Sequence, residues 1–149
     1  MKGKDYTATI IVDQSPEAVL KAIQNLRGWW SEDIAGETAN VGDECIHRYK
    51  EVHRCTLKLV ERVPNRKVVW RVLDNYFSFT KDKSEWKGTS LVFEVSTQGD
   101  KTKVHFTHRG LVPEYECFDV CSNAWDTLIN DSLKALISTG KGTPDAPEE

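Results

Sequence analysis

Apolar residues in the C-terminal part of the chain recur at steps of three and four: Phe118, Cys121, Trp125, Leu128, Ile129, Leu133, Leu136 and Ile137. At 3.6 residues per turn this spacing gathers them on one face of a helix and leaves the opposite face polar. Pro113 suits the first turn and Gly140 follows the last, so the pattern predicts one long amphipathic helix over residues 113–139. A half-apolar helix of this length needs a wide apolar surface to cover.

Most of the preceding chain alternates between apolar and polar positions with the two-residue period of β-strands. The alternating segments are 6–12, 44–49, 53–62, 67–74, 91–95 and 103–108, with turns at Pro64-Asn65 and Gly99-Asp100. Sequential hairpins of this kind predict a mostly antiparallel sheet of six or seven strands.

One or two short helices are predicted after the first strand. Ser15-Pro16-Glu17 is a typical helix start, and the helix runs to Leu26, before Gly28. Residues 29–34 favour a short second helix. Because two adjacent tryptophans cannot face the same way on regular structure, we expect one of Trp29 and Trp30 in the core and the other at an opening or a surface contact.

These elements predict an α+β fold in which a curved antiparallel sheet wraps around the long C-terminal helix. A curved sheet and a straight helix cannot touch everywhere, so we expect a pocket between them. Several aromatic residues fall on elements that face or flank this gap. They represent either ordinary core packing or the lining of a ligand cavity.

Length and composition indicate one domain. The chain has 149 residues, 39% hydrophobic and 29% charged, which suits a single core over residues 1–140, with a disordered Pro/Gly-rich acidic tail over 141–149. No signal-peptide pattern or long apolar run occurs, so we expect a cytoplasmic protein that does not insert into membranes. A net charge of −3 with interspersed signs argues against nucleic acid as a partner.

Catalytic templates are unmatched in the sequence. There is no G-x-S-x-G elbow, no Gly-rich phosphate loop and no HExxH motif. No sequence spacing pairs the candidate carboxylates, which are those of Glu44, Glu85, Glu94 and Glu114. We expect most of them to be solvated. The sequence therefore favours a protein that is not an enzyme and predicts no catalytic residues and no cofactor.

The cysteines and histidines offer weaker signals. Cys117 and Cys121 lie four apart on the predicted helix, where core packing or pocket lining is favoured over a metal or redox pair. His53 and Cys55 share one strand face but lack a second spaced pair, so no metal site is predicted. His105 and His108 lie on opposite faces of a regular strand, and either one has the chemistry of a cavity hydrogen-bond partner.

Motifs spread over nearly the whole chain resemble those of the SRPBCC superfamily. They are Gly28-Trp29-Trp30, Val41-Gly42-Asp43-Glu44, His53-Arg54-Cys55, Val68-Val69-Trp70, Glu85-Trp86 before Gly88-Thr89, Phe106-Thr107-His108, Gly110-Leu111-Val112-Pro113-Glu114, Glu116-Cys117, Cys121, Ala124-Trp125, Ser132-Leu133 and Thr139-Gly140-Lys141-Gly142. Within the superfamily they are most similar to the bacterial branch that resembles the C-terminal domain of the heat shock protein 90 ATPase activator.

The resemblance implies the helix-grip (START-like, birch-pollen-allergen-like) fold, whose members commonly bind hydrophobic small molecules in the cavity. The eukaryotic activator also carries a separate N-terminal domain that makes much of the chaperone contact. This chain has no room for that domain, so stimulation of a chaperone ATPase is not expected.

Three hypotheses follow for function. A module that binds a hydrophobic, aromatic or lipid-like molecule requires a continuous cavity of a few hundred Å³, with Tyr49, His105 and Arg71 setting the ligand's orientation. A cyclase or hydrolase requires an acid or base with a displaced pKa in that cavity. A chaperone regulator or homodimer requires a filled core and an exposed apolar patch around Trp29 and Phe77. The first is favoured, and its predicted cavity residues are Trp30, Tyr49, Trp70, Phe77, Phe79, Trp86, Phe93, His105, Cys121, Trp125 and Leu128.

Overall fold

The computed structural model describes residues 5–144. Its seven strands form one antiparallel sheet in the order β1-β7-β6-β5-β4-β3-β2. The strands are β1 Tyr6–Val12, β2 Ile34–Gly36, β3 Glu44–Tyr49, β4 His53–Val63, β5 Lys67–Phe77, β6 Ser90–Gln98 and β7 Lys101–Arg109. The last strand pairs with the first, from Tyr6 opposite His108 to Val12 opposite Thr102.

Two short helices follow β1: α1, Pro16–Gln24, and α2, Leu26–Trp29. The Ser15 hydroxyl accepts a hydrogen bond from the Ala18 backbone N–H at 3.2 Å, as expected of an N-cap residue. Residues 30–33 are not helical and Ile34 begins β2, so the prediction of a second helix over 29–34 is wrong, and the short helix lies at Leu26–Trp29 instead. Trp29 and Trp30 are both buried. Their indole rings stack on each other with centroids 6.1 Å apart.

The long C-terminal helix, α3, consists of three consecutive segments: Phe118–Thr127, a π-helical turn Leu128–Leu133, and Lys134–Thr139. It buries Cys121, Trp125, Ile129, Leu133 and Ile137, which are spaced by four residues. An ideal α-helix rotates such a series by about 40° per step. The wider π-helical turn counteracts this drift and keeps the apolar face on the sheet.

The predicted start of α3 at residue 113 is wrong by five residues. Residues 113–117 form turns, and the Glu85 carboxylate accepts hydrogen bonds from the backbone N–H groups of Glu116 at 2.8 Å and Cys117 at 3.1 Å. A side chain from another part of the fold thus satisfies N–H groups that precede the first helical turn. Glu85 is accordingly not a simple solvated carboxylate.

A β-bulge in β5 changes which of its side chains face inward. Leu57 pairs with Val72, but Thr56 pairs with Asp74, which leaves Leu73 as an extra residue. As a result Asn75 and Phe77 are buried together with Val72, although strict alternation would turn them outward.

The C-terminal segment after α3 packs against α2 and α3. The Ser132 hydroxyl donates to the Trp29 carbonyl at 2.6 Å and accepts from the Thr143 backbone N–H at 2.8 Å. Gly142 is buried, and a Cβ there would lie 2.4 Å from the Gly28 carbonyl oxygen. Residues 141–144 are therefore not part of a disordered tail, while the prediction for 145–149 lies outside the described residues. Within 5–144, no helix is both long and apolar enough to cross a membrane.

Candidate functional site

A cavity of about 150 Å³ lies between α3 and the end of the sheet formed by β3, β4 and β5. Its lining is largely aromatic and comprises Trp30, His47, Tyr49, Val52, His53, Phe77, Phe79, Trp86, Val120, Cys121, Ala124 and Trp125. Phe79 and Val120 are 41% and 58% exposed and mark its rim, whereas Trp30 and Trp125 are buried at its inner end. The site is an apolar pocket with an open mouth.

The aromatic rings hold one another in place. Trp86 stacks on Trp125 with centroids 5.8 Å apart, Trp30 lies 5.0 Å from Trp125, and His47 stacks on Trp30 at 4.4 Å. On the other wall His53 stacks on Phe77 at 4.4 Å. Mutually packed rings lose little conformational entropy when a ligand arrives, which favours binding to the pocket as it stands.

A directed hydrogen-bond chain supports the inner wall. The Trp125 indole N–H donates to His108 Nδ1 at 3.1 Å, so the proton of this neutral imidazole is on Nε2. That Nε2–H donates to the Thr89 hydroxyl at 2.8 Å, which donates in turn to the Trp86 carbonyl at 2.6 Å. The chain ties α3 to β7 and to the Trp86 segment.

Three further polar groups cluster at the sheet side of the pocket. His47 and Cys55 are opposite each other across β3 and β4, and Cys55 Sγ is 3.9 Å from His47 Nδ1. His53 shares a hydrogen bond with Asn75 Oδ1 at 2.8 Å. One ligand atom each of His47, His53 and Cys55 lie within 4.8 Å of one another.

Burial keeps these groups neutral. Desolvation lowers the pKa of His53 to about 4 and that of His108 to about 3, and it places the pKa of His47 well below its usual value, with a smaller effect from neighbouring His53. Burial also raises the pKa of the Cys55 thiol well above its usual value. At neutral pH the pocket therefore presents uncharged donors and acceptors.

The structure brings seven of the eleven predicted cavity residues together: Trp30, Tyr49, Phe77, Phe79, Trp86, Cys121 and Trp125. The other four lie elsewhere. Trp70 and Phe93 are fully buried core residues, and Leu128 packs half-buried against the core. His105 is on the outer face of β7 and contacts the Thr9 hydroxyl at 3.0 Å, because β7 alternates and its inward histidine is His108.

Sequence reasoning missed five lining residues, namely His47, Val52, His53, Val120 and Ala124. The alternation of β3 and β4 carried a signal for two of them, since His47 follows buried Cys45 and His53 precedes buried Cys55 by one period. Exposed Arg71, proposed to orient a ligand, is not among the lining residues. Cys117 is a buried core residue beside Cys121.

The cavity is smaller than the few hundred Å³ expected of a lipid-binding member of this fold. Trp29, Trp70, Phe93 and Phe106 fill the rest of the space between sheet and helix, with centroid separations of 4.7 to 5.9 Å. Depressions of about 510 to 590 Å³ occur on the outer surface, but polar and charged side chains such as Glu17, Lys21 and Arg62 contribute to their lining.

The architecture and its pocket define a helix-grip protein of α+β class. In overall structure the chain is similar to the Aha1 dimer from Colwellia psychrerythraea, known from a solution structure, with 26% identity, a TM-score of 0.74, and 93% of this chain and 99% of that chain covered. This similarity confirms the resemblance to the SRPBCC superfamily and to its heat shock protein 90 ATPase activator branch. No protein-family model and no curated protein matches the sequence.

Other solved structures share the fold at lower identity. Protein Mll3558 from Rhizobium loti has 15% identity and a TM-score of 0.68 over 85% of this chain and 92% of that one. DynU16, from the dynemicin biosynthetic locus, has 10% identity and a TM-score of 0.67 over 95% of this chain and 50% of that one. At these identities the likeness concerns the fold alone.

Proposed function

We propose that this protein binds a small aromatic molecule in the pocket between β3, β4, β5 and α3. The observation that carries the proposal is the continuous cavity of about 150 Å³ with a largely aromatic lining and an open rim. An engineered apolar cavity of about this volume holds benzene. One or two fused rings therefore suit this pocket better than a lipid chain or a sterol.

The few polar groups would orient such a ligand. His47 Nε2 is buried without a hydrogen-bond partner among the described residues, and His47 lines the cavity. A ligand bearing one polar N–H or O–H group would satisfy this nitrogen, and leaving a buried polar atom unsatisfied costs about 1–3 kcal/mol. The remaining contacts would come from ring faces, which favour offset or edge-on stacking.

The test is a thermal unfolding series with indole as the probe and dodecanoate as the lipid-like comparison. A ligand at 100 times its Kd stabilises the native state by about 2.7 kcal/mol, which corresponds to a rise in Tm of roughly 5–10 °C for a chain of this size. We expect this rise with indole and none with dodecanoate. The absence of a shift with indole would contradict the proposal.

A pair of variants separates the pocket from non-specific binding. Ala124 lies at the cavity on the exposed side of α3, so Ala124→Leu places a larger side chain at the mouth of the cavity. Asn123→Leu adds the same side chain at the adjacent exposed position, which does not line the pocket. Ala124→Leu should abolish the indole shift and Asn123→Leu should preserve it. Equal shifts in both variants would place indole elsewhere.

The enzyme hypothesis has weaker support. His47 and His53 do line the cavity and have displaced pKa values, so its stated requirement is met. However, a general base works best when its pKa lies near the operating pH. An imidazole with a pKa of about 4 is a poor base at neutral pH, so binding is favoured over turnover.

Self-association is a second candidate, because the similar Aha1 structure is described as a dimer. Trp29 and Phe77, around which an exposed apolar patch was expected, are themselves buried. The exposed apolar side chains Phe79 and Val120 at the pocket rim are the alternative contact surface. Sedimentation velocity of the wild-type protein and of Val120→Ser tests this candidate: a dimer that weakens in the variant supports it, and a monomer at all concentrations excludes it.

A further inference from the structure

The cluster of His47, His53 and Cys55 contains the third ligand that the sequence pattern lacked. His53 and Cys55 share one face of β4, and the strand register places His47 of β3 directly opposite Cys55. All three residues are buried, with Cys55 and His47 each only 1% exposed. Two imidazoles and one thiol thus converge in the interior, beside the cavity.

Two features of the cluster are typical of a preorganised metal-binding site. Asn75 Oδ1 accepts the hydrogen bond from His53 Nε2–H, which leaves the His53 Nδ1 lone pair free. Metal-binding histidines are commonly fixed in this way by a partner on the other ring nitrogen. In addition, His47 Nε2 is buried without a partner within residues 5–144. An unsatisfied buried nitrogen is costly. Coordination of an ion by His47 would change the protonation and hydrogen bonding of this imidazole ring.

We propose that His47, His53 and Cys55 bind one Cu(I) ion. The binding step releases the Cys55 thiol proton to solvent as a copper–thiolate bond forms, without a change in oxidation state. One thiolate and two neutral imidazoles then neutralise the single positive charge of Cu(I). A divalent ion such as Zn²⁺ would leave a net charge of +1 in a buried cluster that has no carboxylate among the described residues.

The geometry requires only small movements. A metal ion at the centre of a triangle with 4.8 Å sides would be about 2.8 Å from each corner, against typical metal–ligand distances of about 2.0–2.3 Å. Each donor must therefore move inward by roughly half an ångström or more. Soft thiolate and imidazole donors in a three-coordinate arrangement suit copper better than Mg²⁺ or Ca²⁺, which prefer oxygen.

The test is an anaerobic titration in which the reduced, metal-free protein competes with bicinchoninate for Cu(I). We expect one Cu(I) per chain to be withdrawn from the chelator. Cys55→Ser and His47→Gln should each weaken the affinity at least tenfold, and Asn75→Ala should weaken it by about 10–100-fold through loss of the His53 orientation. Failure of the wild-type protein to withdraw copper would overturn the proposal.

Cys117 provides the matched control, because it is a buried cysteine outside both the cluster and the lining of the cavity. Cys117→Ser should retain the copper affinity of the wild-type protein. Loss of binding in this variant, or unchanged binding in Cys55→Ser, would overturn the proposal.

X-ray absorption of the wild-type copper complex gives an answer that does not depend on whether a variant folds. One sulfur and two imidazole nitrogens around copper are expected. Two sulfur ligands would assign the ion to another pair of cysteines and overturn the proposed site.

Discussion

Replacement of Trp125 tests the packing on which the pocket depends. The ring is 1% exposed, lies 4.8 Å from Phe106 and 5.0 Å from Trp30, and donates its N–H to His108. Trp125→Ala removes a buried indole, which typically costs about 3–5 kcal/mol. It also leaves His108 Nδ1 unsatisfied, which adds roughly 1–3 kcal/mol. The sum is a large part of a typical domain stability of about 5–15 kcal/mol.

The more informative variant is Trp125→Phe, which keeps an aromatic ring but removes the donor. We expect it to lower the free energy of unfolding by about 2–4 kcal/mol, from a smaller cavity term and the orphaned His108 nitrogen. His108→Leu in the Trp125→Phe background removes the orphan. The loss of unfolding free energy in the double variant should therefore be about 1–2 kcal/mol smaller than the sum of the losses in the two single variants.

Urea unfolding followed by far-UV circular dichroism measures these free energies, with unchanged m-values as the check that the unfolding transition is comparable. Tryptophan fluorescence is unsuitable because the substituted ring is one of five tryptophans. A loss below about 1 kcal/mol for Trp125→Phe, or strictly additive effects in the double variant, would refute the described hydrogen bond and burial.

Two further predictions concern groups outside the Trp125 contact. Glu85→Ala should lower the free energy of unfolding by about 0.5–2 kcal/mol, the usual range for loss of a helix-capping side chain; Glu85→Gln, which keeps an acceptor oxygen, should lose less, and equal losses would contradict the capping role. Stability of the metal-free protein should fall as the pH drops from about 6.5 towards 4, because histidine in the unfolded chain takes up a proton near pH 6.5 while buried His53 resists protonation until about pH 4. The slope should reach about 1.4 kcal/mol per pH unit for each buried histidine, and His108→Leu should reduce it; a flat urea midpoint between pH 6.5 and 4.5 would contradict the burial of these rings.

Periodicity identified the fold because each element obeys a simple local rule. The alternation of β4 places Cys55, Leu57 and Leu59 inward, and all three are buried. The four-residue spacing of α3 likewise places Trp125 at the sheet. Such patterns arise because one face of each element is buried, and the apolar or polar character of each residue shows which face that is.

The missed features depend on contacts between residues far apart in the chain. Glu85 binds N–H groups 31 and 32 residues later, and this bond sets the start of α3. His47 and His53 become neighbours only through the register of β3 and β4. The single-residue irregularity at Leu73 has no signature in the alternation, yet it decides the facing of Asn75 and Phe77. Local rules cannot anticipate these long-range choices.

The bulge at Leu73 has a consequence for how this pocket changes with sequence. If the same sequence paired without the bulge, strict alternation beyond Val72 would present Asp74 and Tyr76 to the interior where Asn75 and Phe77 now lie. An acidic wall would replace an amide and a phenyl ring, and His53 would lose both its hydrogen-bond acceptor and its stacking partner. In this architecture one inserted residue decides which side chains line the chamber, and deletion of Leu73, which removes the bulge but leaves Asn75 and Phe77 facing inward, would preserve its chemical character.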